Sequence, residues 1–165
     1  MTALFIKDED LKRNTILDGN VDTDKFKPYV KIAQEIHIQN YLGTDLYKRL
    51  QTGIISDDLT VNEETLIGYI QNALIHWAAV DYLPFAAYTV GNGGVYKHLP
   101  ENAVQVEKDE VDRLVQAERD FAQYYTQRMI DYLCDNSTLY PEYSSNTDND
   151  INPDTYINLT GGWFL

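Results

Sequence analysis

The chain has 165 residues, 44% of them hydrophobic and 24% charged, which suits one folded domain with a core and leaves no room for a second full one. Thirteen Lys and Arg stand against 26 Asp and Glu, a formal net charge of −13, so electrostatic binding of a nucleic-acid duplex and polybasic anchoring to a membrane are both excluded. The single cysteine, Cys134, excludes an internal disulfide and a multi-cysteine zinc site.

Residues 1–10 lack the basic start and apolar run of a signal peptide, and no stretch approaches the ~20 apolar residues of a membrane span. The expectation is synthesis in the cytosol. Asp8 to Thr15 reads as a short helix anchored by Leu11, and residues 14–22 as a loop with a turn at Asp18-Gly19-Asn20. A long helix starts with Thr23 or Asp24 as N-cap, with Pro28 near its first turn. Tyr29, Ile32, Ala33, Ile36 and Asn40 then recur at helical spacing. Gly43 reads as the residue after that helix, and Thr44 as the cap of a second helix, Asp45 to Gln51, ended by Gly53.

Thr60-Val61-Asn62-Glu63 matches a capping box, and the helix it opens runs to about Leu83. Leu66, Ile70, Ala73, Leu74, Trp77 and Ala78 form one stripe, with Ile67 and Ile75 beside it. A helix apolar around so much of its circumference is predicted to be central and the most buried. Pro84 ends or kinks it. Residues 88–100 break the helical pattern: Tyr88-Thr89-Val90 and Val95-Tyr96 flank Gly91-Asn92-Gly93-Gly94, either a hairpin or a glycine loop. The last helix carries Val111, Leu114, Val115, Phe121, Ala122, Tyr125, Met129, Tyr132 and Leu133 at three- and four-residue steps. The fold class is therefore all-α, a small helical bundle over residues 1–136. Residues 137–165, rich in Asn, Asp, Ser and Thr, read as an extended acidic tail.

No catalytic motif emerges. His37, His76 and His98 lack the i, i+4 spacing of a helical zinc site. Cys134 has Asp131 and Asp135 as its charged neighbours, which disfavour a thiolate, so it reads as a small packing residue. Asp148-Asn149-Asp150-Ile151-Asn152 opens like an EF-hand loop, but Pro153 replaces the needed Gly and Leu159 the bidentate Glu. Gly91-Asn92-Gly93-Gly94 lacks the Lys-Ser/Thr of a phosphate cradle. The expectation is a protein that is not an enzyme and uses no metal or cofactor.

Surface features say more. Tyr occurs 13 times, and its large apolar body with a polar tip suits both cores and interfaces. The chain closes on Trp163-Phe164-Leu165, an apolar triplet after a polar stretch, which reads as a docking element for a groove on its own body or on a partner.

Ala33-Gln34-Glu35, then Tyr41-Leu42-Gly43-Thr44-Asp45-Leu46-Tyr47, then Tyr124-Tyr125-x-x-Arg128-x-Ile130-x-Tyr132-Leu133-x-x-Asn136 and Tyr140-Pro141-Glu142-Tyr143 resemble a family of small proteins from phages and prophages of Bacteroidota, crAss-like phages among them. The resemblance spans about residues 4–143. That family is similar to the head–tail connector (adaptor, or head-completion) proteins of tailed phages, small helical bundles that form a ring, commonly of twelve subunits, beneath the portal. The resemblance implies a virion protein, found in host cytoplasm during assembly. Its partners would be its own copies, the portal protein and the next tail or ring component, with packaged DNA passing unbound and no membrane involved. It also implies subunit contacts from the 88–100 loop and the tail: Tyr88, Val95, Tyr96, Tyr140, Tyr143, Trp163, Phe164 and Leu165. Twelve copies would carry twelve times the −13 of one chain, a channel wall that does not grip DNA. The competing expectation is a monomeric acidic binding module, of the immunity or DNA-mimic kind, that inhibits a basic partner.

Overall fold

The computed structural model describes residues 3–7, 10, 23–86, 88–91, 94–97 and 108–157. In chain order the elements are α1 (Thr23–Ala33), a π-helical turn (Gln34–Ile38), α2 (Gln39–Leu42), α3 (Thr44–Ser56), α4 (Val61–Tyr82), a 3₁₀ turn (Leu83–Phe85), strands β1 (Tyr88–Gly91) and β2 (Gly94–Lys97), α5 (Lys108–Asp135), a second 3₁₀ turn (Ser137–Leu139) and α6 (Pro141–Ser145). The fold is an all-α bundle. Its one hairpin among the described residues pairs Tyr88 with Lys97 and closes on the Gly91–Gly94 pair. The two residues between that pair, Asn92 and Gly93, lie outside the described residues, as do most of 8–22, where the sequence suggests a short helix and a turn.

The capping box forms as predicted. Thr60 Oγ1 accepts from the Glu63 amide at 3.2 Å, and Glu63 Oε2 accepts from the Thr60 amide at 2.7 Å. Arg49 of α3 donates to both carboxylate oxygens of Glu63 and to the Asp58 carbonyl, tying α3 to the start of α4. α4 is the central helix: Leu66, Ile67, Ile70, Ala73, Leu74, Ile75, Trp77, Ala78, Val80 and Tyr82 are all buried. α1 covers one side through Phe26, Val30 and Ala33, with Phe26 and Tyr29 meeting Tyr82 edge-on. α5 covers another and runs antiparallel. Tyr69 stacks on Tyr132 at 4.5 Å, and the Trp77 indole donates to Thr126 Oγ1 at 2.9 Å.

The polar C-terminal stretch departs from its expected reading. Between residues 137 and 157 the chain is not a free extended tail: it lies against the body through buried Tyr140 and Tyr143 and through hydrogen bonds of Asn146 to Asp154. Tyr140 is 1% exposed, and its hydroxyl donates to the Asn62 carbonyl at 2.8 Å. Beyond α6 the chain crosses the α2–α3 junction as a strap. Gly43, not Thr44, is the N-cap of α3 and has no side chain to offer. The strap supplies the missing acceptors: the Ile151 carbonyl takes the Thr44 amide at 3.0 Å, and Asn146 Oδ1 takes the Asp45 amide at 3.1 Å. Thr44 Oγ1 in turn donates to Asp150 and accepts from the Ile151 amide.

Gly53 does not end α3. The helix continues to Ser56 and stops on Asp57 in the left-handed conformation, while Gly53 leaves space for Leu59. No helix among the described residues is long and apolar enough to cross a membrane.

Two substitutions test this arrangement. Trp77→Ala removes a buried indole and should cost ~3–5 kcal/mol by urea denaturation; a loss below ~1 kcal/mol would misplace the core. Gly43 has φ 74° and ψ 162°, and a Cβ there would lie 2.8 Å from Pro153 Cδ. Gly43→Ala should therefore cost about 1–3 kcal/mol and speed hydrogen exchange at the Thr44 and Ile151 amides. Unchanged exchange would mean that the strap is not seated on this glycine.

Candidate assembly surface

α5 has 28 residues and α4 has 22, so they measure about 42 and 33 Å at ~1.5 Å per residue. Their antiparallel register is fixed by Tyr69–Tyr132 and Trp77–Thr126, and Tyr140, just beyond α5, reaches Asn62 at the start of α4. The N-terminal turns of α5 thus run past the end of α4, on the side of the hairpin. The burial follows: α5 buries Glu118, Ala122, Thr126, Met129, Ile130 and Leu133, and no residue of 108–117 is buried.

Leu114, Phe121 and Tyr124 are left 49, 52 and 60% exposed. Seven and three residues apart, they fall on one flank of the helix. Phe85 and Tyr88, at the connection between α4 and the hairpin, are also more than half exposed. Phe85 stacks on Tyr29, and the 3₁₀ turn carrying it touches α5. Arg128 extends over the rings of Tyr69 and Tyr124 at 5.9 and 6.0 Å. An aromatic and apolar row with a guanidinium group at one end has the composition of a protein interface.

Of the residues expected at subunit contacts, Tyr88 is exposed at the start of β1. Val95 and Tyr96 pair with Val90 and Thr89 in the hairpin, and their side chains lie outside what is described. Tyr140 and Tyr143 are core residues, not surface ones. Burial raises both phenols above their ordinary range, Tyr143 to about 12 with the Cys134 thiol beside it, and Tyr140 further with the Tyr132 hydroxyl as neighbour. Trp163, Phe164 and Leu165 lie outside the described residues. The three- and four-residue steps of the last helix include Leu114 and Phe121, yet both are exposed: Leu114 lies beyond the end of α4, and Phe121 sits at the edge of the stripe while Ala122 beside it is buried.

The polar side chains form struts. His76 Nδ1 lies 2.7 Å from Glu118 Oε2 across the α4–α5 seam, and its ring stacks on Tyr125. His37 lies flat on Trp77 at 4.1 Å, with Nε2 3.3 Å from Asp81. His98 lies outside the described residues. Cys134 is exposed and so does not pack inside as expected. The acidic loop is part of the strap: Asp148 pairs with Lys48, which lowers its carboxyl from the ordinary range, and Asp150 accepts from Thr44. Among the described residues, no group of three or more His, Cys, Asp or Glu side chains converges on a point that would hold a metal ion.

A family model described as "Family of unknown function (DUF6712)" matches residues 38–153. That span opens at the end of the π turn and closes on Pro153, so it contains both sides of the strap contact at Gly43. No curated protein and no solved structure matches the chain.

Tyr140 and Tyr143, the buried phenols raised furthest, predict alkaline sensitivity, with Tyr47 and Tyr82 raised by burial in the same direction. An unfolded tyrosine releases its proton near pH 10, while folding holds Tyr140 and Tyr143 protonated. Between the unfolded and folded values the unfolded chain binds fewer protons, so stability falls as pH rises. The loss should reach up to ~1.4 kcal/mol per pH unit for each tyrosine. Urea midpoints measured from pH 8 upward should decline beyond pH ~10, and the Tyr140→Phe/Tyr143→Phe double variant should flatten the decline. An unchanged slope in that variant would assign it to other groups.

Proposed function

The chain belongs to the DUF6712 family, and on that premise we propose that it is a structural subunit of a phage head–tail connector, a ring between the portal and the next tail component. One observation carries the reading: the row Leu114, Phe121 and Tyr124 beside Phe85 and Tyr88, all about half exposed or more. Such a row is costly to leave in water and gains by meeting another copy. The sequence resemblance to connector proteins points the same way.

The subunit's work is mechanical. Copies close around the channel, extend it, and join head to tail while the packaged genome is retained. With a formal charge of −13 per subunit, the ring offers DNA few cations with which to displace counterions, so the duplex slides during packaging and ejection. The same charge makes copies repel, and apolar burial at the row has to outweigh it.

Light scattering after size exclusion tests this. The chain should form higher assemblies as concentration and salt rise, since salt screens the repulsion, and more so with portal protein present. Leu114→Glu/Phe121→Glu should keep native circular dichroism and lose assembly. A chain that stays single in every condition, portal included, or a double variant that assembles as well as the parent, would overturn the reading; the first outcome with tight binding to a basic protein would favour an acidic inhibitor.

A further inference from the structure

α5 carries two seams. One, through Glu118, Ala122, Met129 and Leu133, is buried. The other lies about a third of a turn round the helix from it. It runs Glu110, Leu114, Ala117, Phe121, Tyr124, Arg128, with steps of four and three in strict alternation. Every member is still exposed after the helices of the chain have packed. Such alternation is the 3.5-residue period of one helix lying along another.

The order of the side chains says which helix. Let a second α5 lie antiparallel on this seam, with the pair centred at residue 119. Glu110 then faces Arg128 of the second copy, Leu114 faces Tyr124, and Ala117 faces Phe121. The smallest member meets a large ring, and a carboxylate meets a guanidinium at both ends. Each contact occurs twice, with the two residues exchanged, as a two-fold interface demands. A parallel pair would instead set Glu110 on Glu110, Arg128 on Arg128 and Phe121 on Phe121, and would align two helix dipoles in the same sense. The antiparallel pair also gives the overhang of α5 a place. Turns 108–117, which bury nothing in their own subunit, lie along Phe121, Tyr124 and Arg128 of the second copy. The bodies, which begin to cover α5 at Glu118, fall at opposite ends of the pair.

We propose that free subunits pair two by two, antiparallel, through this seam, and that the pair is a reserve form that keeps the row covered until a ring takes it up. A two-fold contact has no place within a ring whose subunits all point the same way. Pair and ring therefore compete for Leu114, Phe121 and Tyr124; that competition rests on the head–tail reading, while the pairing rests on the seam alone.

Charge exchange gives the test. Cys134 is exposed, so the full chain is kept reduced. Sedimentation equilibrium at about 0.15 M salt, where charges more than ~8 Å apart are screened, should show a species of two copies that dissociates on dilution. Glu110→Arg sets two arginines against each other at both ends, and Arg128→Glu two glutamates. Each should raise the dissociation constant about tenfold. Mixed in equal amounts, the two variants restore both attractive ends and should pair with each other as tightly as the parent does. The Arg128 guanidinium also lies over Tyr69. If Arg128→Glu fails to fold, a size exchange at exposed positions serves: Ala117→Phe should weaken pairing, and Ala117→Phe/Phe121→Ala should regain it. Added portal protein should draw the pairs down as larger assemblies appear. A chain that is single at every concentration, or an exchanged set that pairs no better than its single variants, would overturn the pairing. Pairs that persist undiminished beside larger assemblies would overturn the reserve role. Larger assemblies that both charge variants form as readily as the parent would sink this inference and leave the head–tail reading standing. Pairs that obey the exchange but never go further with portal protein would keep the pairing and sink that reading.

Discussion

A helix apolar around most of its circumference has to be enclosed, and enclosing α4 governs the rest of this chain. Two helices side by side leave much of such a surface wet. α1 and α5 take two sides, and the segments at either end of the described chain take what remains. Phe5 and Ile6 come from before the first helix, with Gln71 of α4 holding the Phe5 carbonyl. Tyr140 and Tyr143 come from after the last long one, with the Tyr140 hydroxyl on the Asn62 carbonyl near the first turn of α4. Both segments are short and cannot satisfy their own backbone groups by ladders, so side chains of the bundle do it instead. This is why a buried glutamine and a buried tyrosine, each fully bonded, occupy places where an aliphatic residue would have been simpler.

The same enclosure explains where the surface stays apolar. α4 is shorter than α5, and covering α4 uses only the C-terminal two thirds of α5, from Glu118 onward. The hydrophobic period continues regardless through Leu114 and Val111, and Leu114 is left half exposed beyond the end of the partner helix. Polar residues there would satisfy the monomer. Apolar ones make sense when something else covers them.

This also marks which parts of the structure the sequence can disclose. The Thr60–Glu63 box and the run from Leu66 to Ala78 are local signals, and α4 forms where they place it. The strap is not local. Asn146, Asp150 and Ile151 act on Thr44 and Asp45, about a hundred residues away, and nothing in a run of Asn, Asp, Ser and Thr distinguishes a cap for a distant helix from a solvated tail. Gly43 carries half of that signal, since its positive φ is needed where Pro153 crosses. Taken alone it reads equally well as the end of one helix or the start of the next. The seating of residues 3–7 is quieter still: five residues show no period, and Gln34, Gln51 and Gln71, which hold their backbone, show no pattern until the fold gathers them. Of the exposed row, Leu114 and Phe121 share their helical period with the core stripe, and the sequence pattern does not separate them from it.

Charge decides how copies with these surfaces can meet. Every Lys and Arg lies at or before Arg128, while Asp131, Asp135, Glu142, Asp148, Asp150 and Asp154 follow it. Because α5 runs from the hairpin end of the bundle towards α6, Arg128 lies over the Tyr124 end of the apolar row, and the end of the bundle that carries α6 and the strap is acidic, with Lys48 as partner to Asp148. Two copies meeting strap to strap would bring like charges within a Debye length of about 10 Å at 0.1 M salt. A two-fold pairing through that end is thereby disfavoured. Residues 108–128 are near balance, with Lys108, Arg113, Arg119 and Arg128 against Asp109, Glu110, Asp112, Glu118 and Asp120, so the flank that carries the apolar row opposes contact with another surface less than the strap end does.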